Sequence, residues 1–194
     1  MRYLLIFGPP GAGKGTQSKL IAERYNYKHI STGQLLRQEI EKETETGKII
    51  RTVIEKGEFV GDSLVLDIVK QEIFSGQRDI KGYIFDGFPR NLEQAIAFDD
   101  ILDSTGKKID AVLSLVIEEN IIIERIQHRA NIEGRLDDAD FDTIKKRIVT
   151  YHKVTEPLIT YYKSQNKYFP VNGGLAIEKN FDEICKIIDT LQNG

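Results

Sequence analysis

The sequence is poor in the residue that staples small secreted domains, with one cysteine in 194 residues. A single thiol forms neither an internal disulfide nor a thiolate zinc cage. No apolar run approaches the roughly 20 residues of a membrane-spanning helix. Basic charge is not in excess either: 27 Lys and Arg against 30 Asp and Glu leave a net charge of -3. That balance disfavours a nucleic-acid binder working by phosphate-backbone attraction, so any anion site must be a local cluster. The opening MRYLLIFGPPG carries a basic residue and a short apolar run. That run passes straight into glycine and proline, unlike the longer core of a cleavable signal. It reads as a buried strand of a cytoplasmic protein, with neither nucleic acid nor membrane among its partners. Internal repeats and low-complexity tracts are also missing.

What is present, 40% hydrophobic and 29% charged residues, suits one globular domain with a sizeable core. Short apolar or β-branched runs recur at 2–7, around 29–30, and at 82–85, 111–117 and 168–171, separated by stretches with helical spacing. This alternation predicts an α/β fold, a five-stranded parallel sheet with helices on both faces. The clearest helix is late: Ile144, Ile148, Tyr151, Leu158 and Tyr162 fall on one face. Asp137 and Asp138 precede it as caps, and Pro157 predicts a kink or break. The mixed-charge segment EIEKETETGK, 39–48, reads as a solvated helix end and turn.

Near the start, GPPGAGKGTQ follows an apolar strand and precedes a good helix former. Glycines let backbone N–H groups converge on phosphate oxygens, and the helix N-terminus adds positive potential. Lys14 is placed to reach β- and γ-phosphates. The hydroxyl of an ordinary GxxxxGK[ST] loop, however, is displaced one position by Gly15, to Thr16. A second requirement is a carboxylate at the end of another buried strand, because nucleoside triphosphates arrive with magnesium. GYIFDGFPR supplies Asp86.

Phosphoryl transfer asks for positioning and for neutralisation of spreading negative charge, a task suited to guanidinium forks. Arg125 and Arg129 are four apart on one helical face, Arg135 follows the segment 130–134, and Arg147 lies on the late helix. Arg37 and Arg90 follow STG and DGFP.

In order and along nearly the whole chain, GPPGAGKGTQ, STGQLLR, EFVGD, FDGFPRNLEQA, ERIQHR, GRLDD and TIKKRIVTYHKVTEPLITYY resemble adenylate kinases. The family's loop reads GKGT, so the late hydroxyl matches it. The resemblance implies a P-loop NTPase-type three-layer fold, with the core at about 1–30, 61–128 and 138–194. It also implies a helical NMP-binding flap at about 31–60 and a short lid at about 129–137. The implied activity is reversible transfer of the ATP γ-phosphoryl group to AMP, giving two ADP, by a monomer with magnesium and no structural zinc.

Residue roles follow by the same resemblance. Gly11, Ala12, Gly13, Lys14, Gly15 and Thr16, with Arg125 and Arg129, would bind ATP. Thr32, Gly33, Arg37, Glu58, Phe59 and Val60 would line the AMP side. Gly87, Phe88, Arg90, Gln94, Arg135 and Arg147 would join them there. Lys14 and the arginines 90, 125, 129, 135 and 147 would act on the migrating group, and Thr16 and Asp86 would hold magnesium through water. One position departs: STGQ puts neutral Gln34 where the family pattern has an aspartate, which implies a weaker metal-water network.

Adenine offers an amino donor at N6 beside an acceptor at N1, and the Gln94 amide can meet both. Thr32 with Gln94 resembles the AMP-specific pattern, whereas UMP/CMP kinases usually carry alanine and asparagine there. A UMP/CMP kinase, or a nucleotide sensor that has lost transfer, are the alternatives; the retained arginines speak against the sensor. No catalytic base is needed, because the attacking AMP phosphate is already anionic near neutral pH. Closing the lid and flap would exclude competing water, with Gly33, Gly57 and Gly61 as pivots. His29, His128 and His152 show no metal spacing and read as structural or surface. Cys185, on a face with Phe181, Ile184 and Ile188, reads as a buried thiol.

Overall fold

The computed structural model describes residues 1–75, 79–133, 138 and 140–192. The first half runs β1 (Arg2–Phe7), α1 (Lys14–Tyr25), β2 (Tyr27–Ser31), α2 (Thr32–Glu41), α3 (Glu45–Glu55), α4 (Asp62–Phe74) and β3 (Gly82–Asp86). The second runs α5 (Leu92–Asp103), β4 (Ala111–Val116), α6 (Glu119–Glu133), α7 (Phe141–Thr150), α8 (Leu158–Lys163), β5 (Tyr168–Asn172) and α9 (Ile177–Gln192). Among the described residues no helix is long and apolar enough to cross a membrane.

The five strands pair in parallel in the order β2-β3-β1-β4-β5. Alternate side chains of β1 point to opposite faces, as the strand period of two requires. Tyr3, Leu5 and Phe7 join one core with Tyr83 and Phe85, while Leu4 and Ile6 join the other with Ile84. Helices cover both faces, which is why these strands read as near-continuous apolar runs. β2 is longer than its apolar pair 29–30, because the ladder to β3 recruits Tyr27 and Lys28 at one end and Ser31 at the other. β1 lies between β3 and β4, and the chain leaves it first toward one side of the sheet and later toward the other. Its following loop therefore opens at the topological switch point, on the carboxyl ends of the strands, where ligands of such sheets bind.

The late apolar stripe is not one helix. α7 passes into a π-helical turn, Tyr151–Thr155, closed by Glu156 N donating to Tyr151 O at 2.9 Å, and α8 resumes after Pro157. The break predicted at Pro157 thus begins six residues earlier. The stripe also divides between two clusters: Ile144 and Ile148 pack with Ile122 and Ile126, while Leu158 and Tyr162 enter the main core. The expected caps are corrected too. Asp140 caps α7, its carboxylate accepting from Thr143 N at 2.8 Å, because Asp138 is turned inward. Asp137 lies outside the described residues.

Segment 39–48 does contain the end of α2 and the turn into α3, with Lys42–Glu39 and Lys48–Glu45 pairs on its surface. It is not wholly solvated, however. Gly47 is buried where α3 crosses α2, and a Cβ there would stand 2.3 Å from Glu39 O.

Candidate active site

The loop between β1 and α1 is built on glycine geometry. Gly11 has φ +79°, and a Cβ on it would stand 2.8 Å from Ile126 Cγ1, so glycine is required both by conformation and by the close approach of α6. α1 starts at Lys14 with no side-chain cap, which leaves its first-turn N–H groups for an anion. Lys14 folds back over the loop, its Nζ donating to Gly8 O at 2.7 Å and Pro9 O at 2.9 Å. Burial lowers its pKa to about 8; Asp86 opposes that shift, and Arg90, Arg147 and Arg129 reinforce it. Arg125 donates to Gly173 O at 2.9 Å, with Nη1 4.0 Å from where a Cβ on Gly13 would be.

Asp86 ends β3 against this first turn, Oδ2 lying 3.5 Å from the Cβ position of Gly15. Burial alone would push its carboxyl up, but His29 Nε2, 3.8 Å away, and the Lys14 charge hold it below its ordinary value. His29 is accordingly part of the site wall, and its Nε2 is buried with no hydrogen-bond partner. Thr16 faces the same cleft. Among the described residues, no three His, Cys, Asp or Glu side chains gather around one point. One carboxylate and one hydroxyl on the wall of the same cleft fit a hydrated magnesium ion carried in by phosphates; that ion keeps several waters and needs few protein ligands.

Two cavities meet here. The wider, about 640 Å³, has the glycine loop as its floor and is bordered by the segment after β5, including Gly173, Leu175 and Ala176. The narrower, about 130 Å³, runs between α2, the 57–60 turn and the segment after β3. Lys14, Arg37, Arg90 and Arg147 line both, so four cations stand at the junction.

Around the narrower cavity, Thr32 Oγ1 donates to Gly87 O at 2.8 Å and Arg90 Nε donates to the same oxygen at 2.7 Å. Gly87 has φ +78°, and a Cβ on it would press within 2.9 Å of Thr32 Oγ1. The Arg90 guanidinium stacks over Phe59, 4.9 Å from the ring centroid. Gly33 and Val60 are on the wall, and Arg37 Nη1 lies 3.4 Å from the Cβ position of Gly33. Phe88 lies behind the cavity wall, its ring wholly buried and edge-on to Phe98. Glu58 turns its carboxylate outward to Lys146 at 3.0 Å. Gln94 is buried, its Oε1 accepting from Arg90 N at 2.8 Å and its Nε2 donating to Asp62 Oδ1 at 2.7 Å.

Arg129 and Arg147 converge on buried Asp138, and Arg147 also lines the cation junction. The sixth expected arginine, Arg135, and the rest of the expected lid from 134 to 137 lie outside the described residues. His128 borders the wider cavity, whereas His152 is a surface tie between Glu119 and Glu156. Cys185 is buried, and burial raises its thiol pKa.

Several site residues escaped the sequence reading. Thr155, in the π turn, donates to Arg90 O at 2.8 Å and pins that backbone, as does the Gln94 amide from the other side. Asp62 and Asn91 hold Gln94. The segment after β5 has a related order, a strand, the glycine pair 173–174 and a helix, and that signal was open to reading.

The sequence is similar to those of known proteins. A family model described as adenylate kinase matches residues 6–167. An adenylate kinase of Bacteroides fragilis is 44% identical over 191 residues, covering 98% of this chain and 100% of the relative. The chain belongs to the adenylate kinase family. Further adenylate kinases, from Porphyromonas gingivalis (43% over 189 residues, 97% of this chain and 96% of the relative) and Flavobacterium psychrophilum (38% over 191 residues, 98% and 100%), match at similar length. The five-stranded parallel sheet between helical layers is the fold expected of adenylate kinases, and family membership makes the chain a phosphotransferase.

Proposed function

We propose that this chain catalyses MgATP + AMP ⇌ 2 ADP and so balances adenine nucleotides. The observation that carries the reading is the junction of two cavities on Lys14, Arg37, Arg90 and Arg147. A nucleotide in each cavity brings two phosphate chains end to end, and the four cations that line both cavities supply the positive charge such a meeting point needs.

ATP takes the wider cavity, its phosphates on the N–H groups of the 11–16 loop and its base toward the segment after β5. AMP takes the narrower one, with Arg37 and Arg90 on its phosphate and Thr32 and Gln94 toward its base. An anionic oxygen of the AMP phosphate attacks the γ-phosphorus in line while the bond to the β–γ bridging oxygen breaks, leaving ADP on each side. No proton moves, so alignment and charge stabilisation do the catalysis. Lys14, its pKa depressed to about 8 by burial, is returned to full charge by phosphate oxygens against it. Arg90, Arg147, Arg125 and Arg129, with Arg135, spread over the migrating group. Asp86 and Thr16 would hold magnesium through water, the ion neutralising charge on the β- and γ-oxygens when bound.

Residues 31–60 act as the flap over AMP and 129–137 as the short lid over ATP, closing to exclude water. The enzyme works as a cytoplasmic monomer with no zinc. ADP formation from MgATP offered with AMP, CMP, UMP or GMP is the test: AMP is preferred, and no AMP-dependent ADP would end the reading.

A further inference from the structure

Gln94 is the side chain facing the base on the reading just given, and the structure ties both ends of its amide. A neutral amide can turn over, exchanging oxygen for nitrogen, and the two orientations read opposite base edges. Here the turn is blocked. Arg90 N–H only donates, so it demands Oε1, 2.8 Å away; the Asp62 carboxylate only accepts, so it demands Nε2, 2.7 Å away. Asp62 is itself held by Asn91, whose Nδ2 reaches both carboxylate oxygens at 3.0 Å. Asn91 Oδ1 in turn accepts from Gln94 N at 2.8 Å. The ring Asp62–Gln94–Asn91 is closed, and each member's role is fixed by a partner that cannot reverse.

One lone pair on Oε1 and one N–H on Nε2 remain for a ligand. That ordered pair complements a 6-aminopurine, whose N6 donates and whose N1 accepts. A 6-oxopurine presents the reverse, an accepting O6 and a donating N1–H, and would set acceptor against acceptor and donor against donor. AMP and IMP differ at just these atoms and share their size, ribose and phosphate, so cavity volume cannot separate them.

We propose that Asp62 is a specificity-determining positioning residue: it locks the Gln94 amide in the orientation that accepts 6-aminopurine and rejects 6-oxopurine monophosphates. Asp62 touches no substrate and acts through Gln94. It is also the first residue of α4, directly after the 57–61 turn, so the lock joins the base-reading side chain to the end of the flap.

The inference rests on AMP being the acceptor, and the experiment separates the two failures. kcat/KM is measured for AMP and IMP with wild type, Asp62→Asn, Asp62→Ala, Gln94→Ala and the Asp62→Asn/Gln94→Ala double variant. Asparagine keeps the volume but removes the charge and one of the two acceptor oxygens, so it loosens the hold on Nε2 without a cavity and leaves Arg90 N as the remaining tie. The AMP-to-IMP ratio is independent of how much enzyme is folded. It should fall about tenfold in both Asp62 variants, mostly through KM, as expected when one directing hydrogen bond is lost. In the Gln94→Ala background the Asp62 change should leave the ratio where it was. A ratio unmoved in both single variants overturns the proposal. So does an equal fall with Gln94 absent, which would mark Asp62 as merely a favourable charge at a helix start. A wild type inactive on AMP removes the proposed function as well.

Discussion

Arg129 grips Asp138 with both arms of its fork, Nε to Oδ2 at 2.7 Å and Nη2 to Oδ1 at 2.9 Å. The Asp138 side chain is 0% exposed, and Arg147 donates to it as well. One buried carboxylate thus sets the positions of two arginines that line the wider cavity. Asp138→Asn keeps the shape and removes the charge. Losing one partner of a buried pair costs about 3–5 kcal/mol at most. Here the arginines keep 24% and 18% exposure, and water will screen them. A loss of about 1–3 kcal/mol, read by thermal unfolding, is therefore expected, with turnover falling about tenfold from misplaced guanidiniums. Unchanged midpoint and turnover would remove Asp138 from this role.

Gln34 lies in the first turn of α2, which carries no acidic residue, and it lines the wider cavity, as Asp86 does. A carboxylate there would face the helix N-terminus favourably and add an acceptor for metal-bound water. Gln34→Asp should lower the free magnesium needed for half-maximal turnover and tighten magnesium binding in calorimetry with ADP present. Equal metal affinity and rate in both proteins would sink the idea.

Gly47 has no room for a methyl group, since its Cβ would fall 2.3 Å from Glu39 O, a backbone atom that cannot swing aside. Gly47→Ala should force α3 off α2 and cost about 1–3 kcal/mol as an overpacking strain, in spite of alanine's better helix propensity. If α2 and α3 cover AMP, KM for AMP should rise while KM for ATP holds. Thermal unfolding with kinetics on both substrates checks both halves, and a stabilised variant would refute the packing argument.

Burial raises the pKa of Tyr3, Tyr25, Tyr83, Tyr151, Tyr161 and Tyr162, that of Tyr161 to about 12 with help from Asp99. The folded state keeps these phenolic protons at a pH where the unfolded state releases them, so the unfolded state binds fewer protons. Stability then falls as pH rises. The contribution is whole below pH 10 and is lost as pH climbs toward 12 and beyond. Tyrosinate absorbance should lag an ordinary phenol and rise together with loss of circular dichroism. Most tyrosines titrating near pH 10 with the fold intact would contradict this.

Local patterns were legible where the chain's own chemistry decides them. The apolar runs marked the strands, because a strand covered on both faces has no polar period to hide. The glycine loop was legible because positive φ and close backbone approach admit few other residues; Asp86, which alone reads as a turn former, was legible only in combination with that loop. Identifying Arg90 and Gln94 as neighbours was not a matter of spacing alone. Gln94 read as a side chain toward the base; that its amide is already held at both ends depends on Asp62, 32 residues earlier, and no local pattern records such a pair.

The order of amino acids was enough for the alternation of strands and helices, the glycine loop, the arginine positions along the chain and the family. Periodicity, glycine conformation and motif order are properties of consecutive residues. Tertiary structure alone decided that Asp138 turns inward to two arginines while Asp140 caps α7, and that the late stripe breaks into a π turn at Tyr151. It alone made Lys14, Arg37, Arg90 and Arg147 the meeting point of two cavities. Each of these outcomes is a competition among partners distant in sequence, settled by burial: a charge taken out of water accepts only the geometry that pairs it.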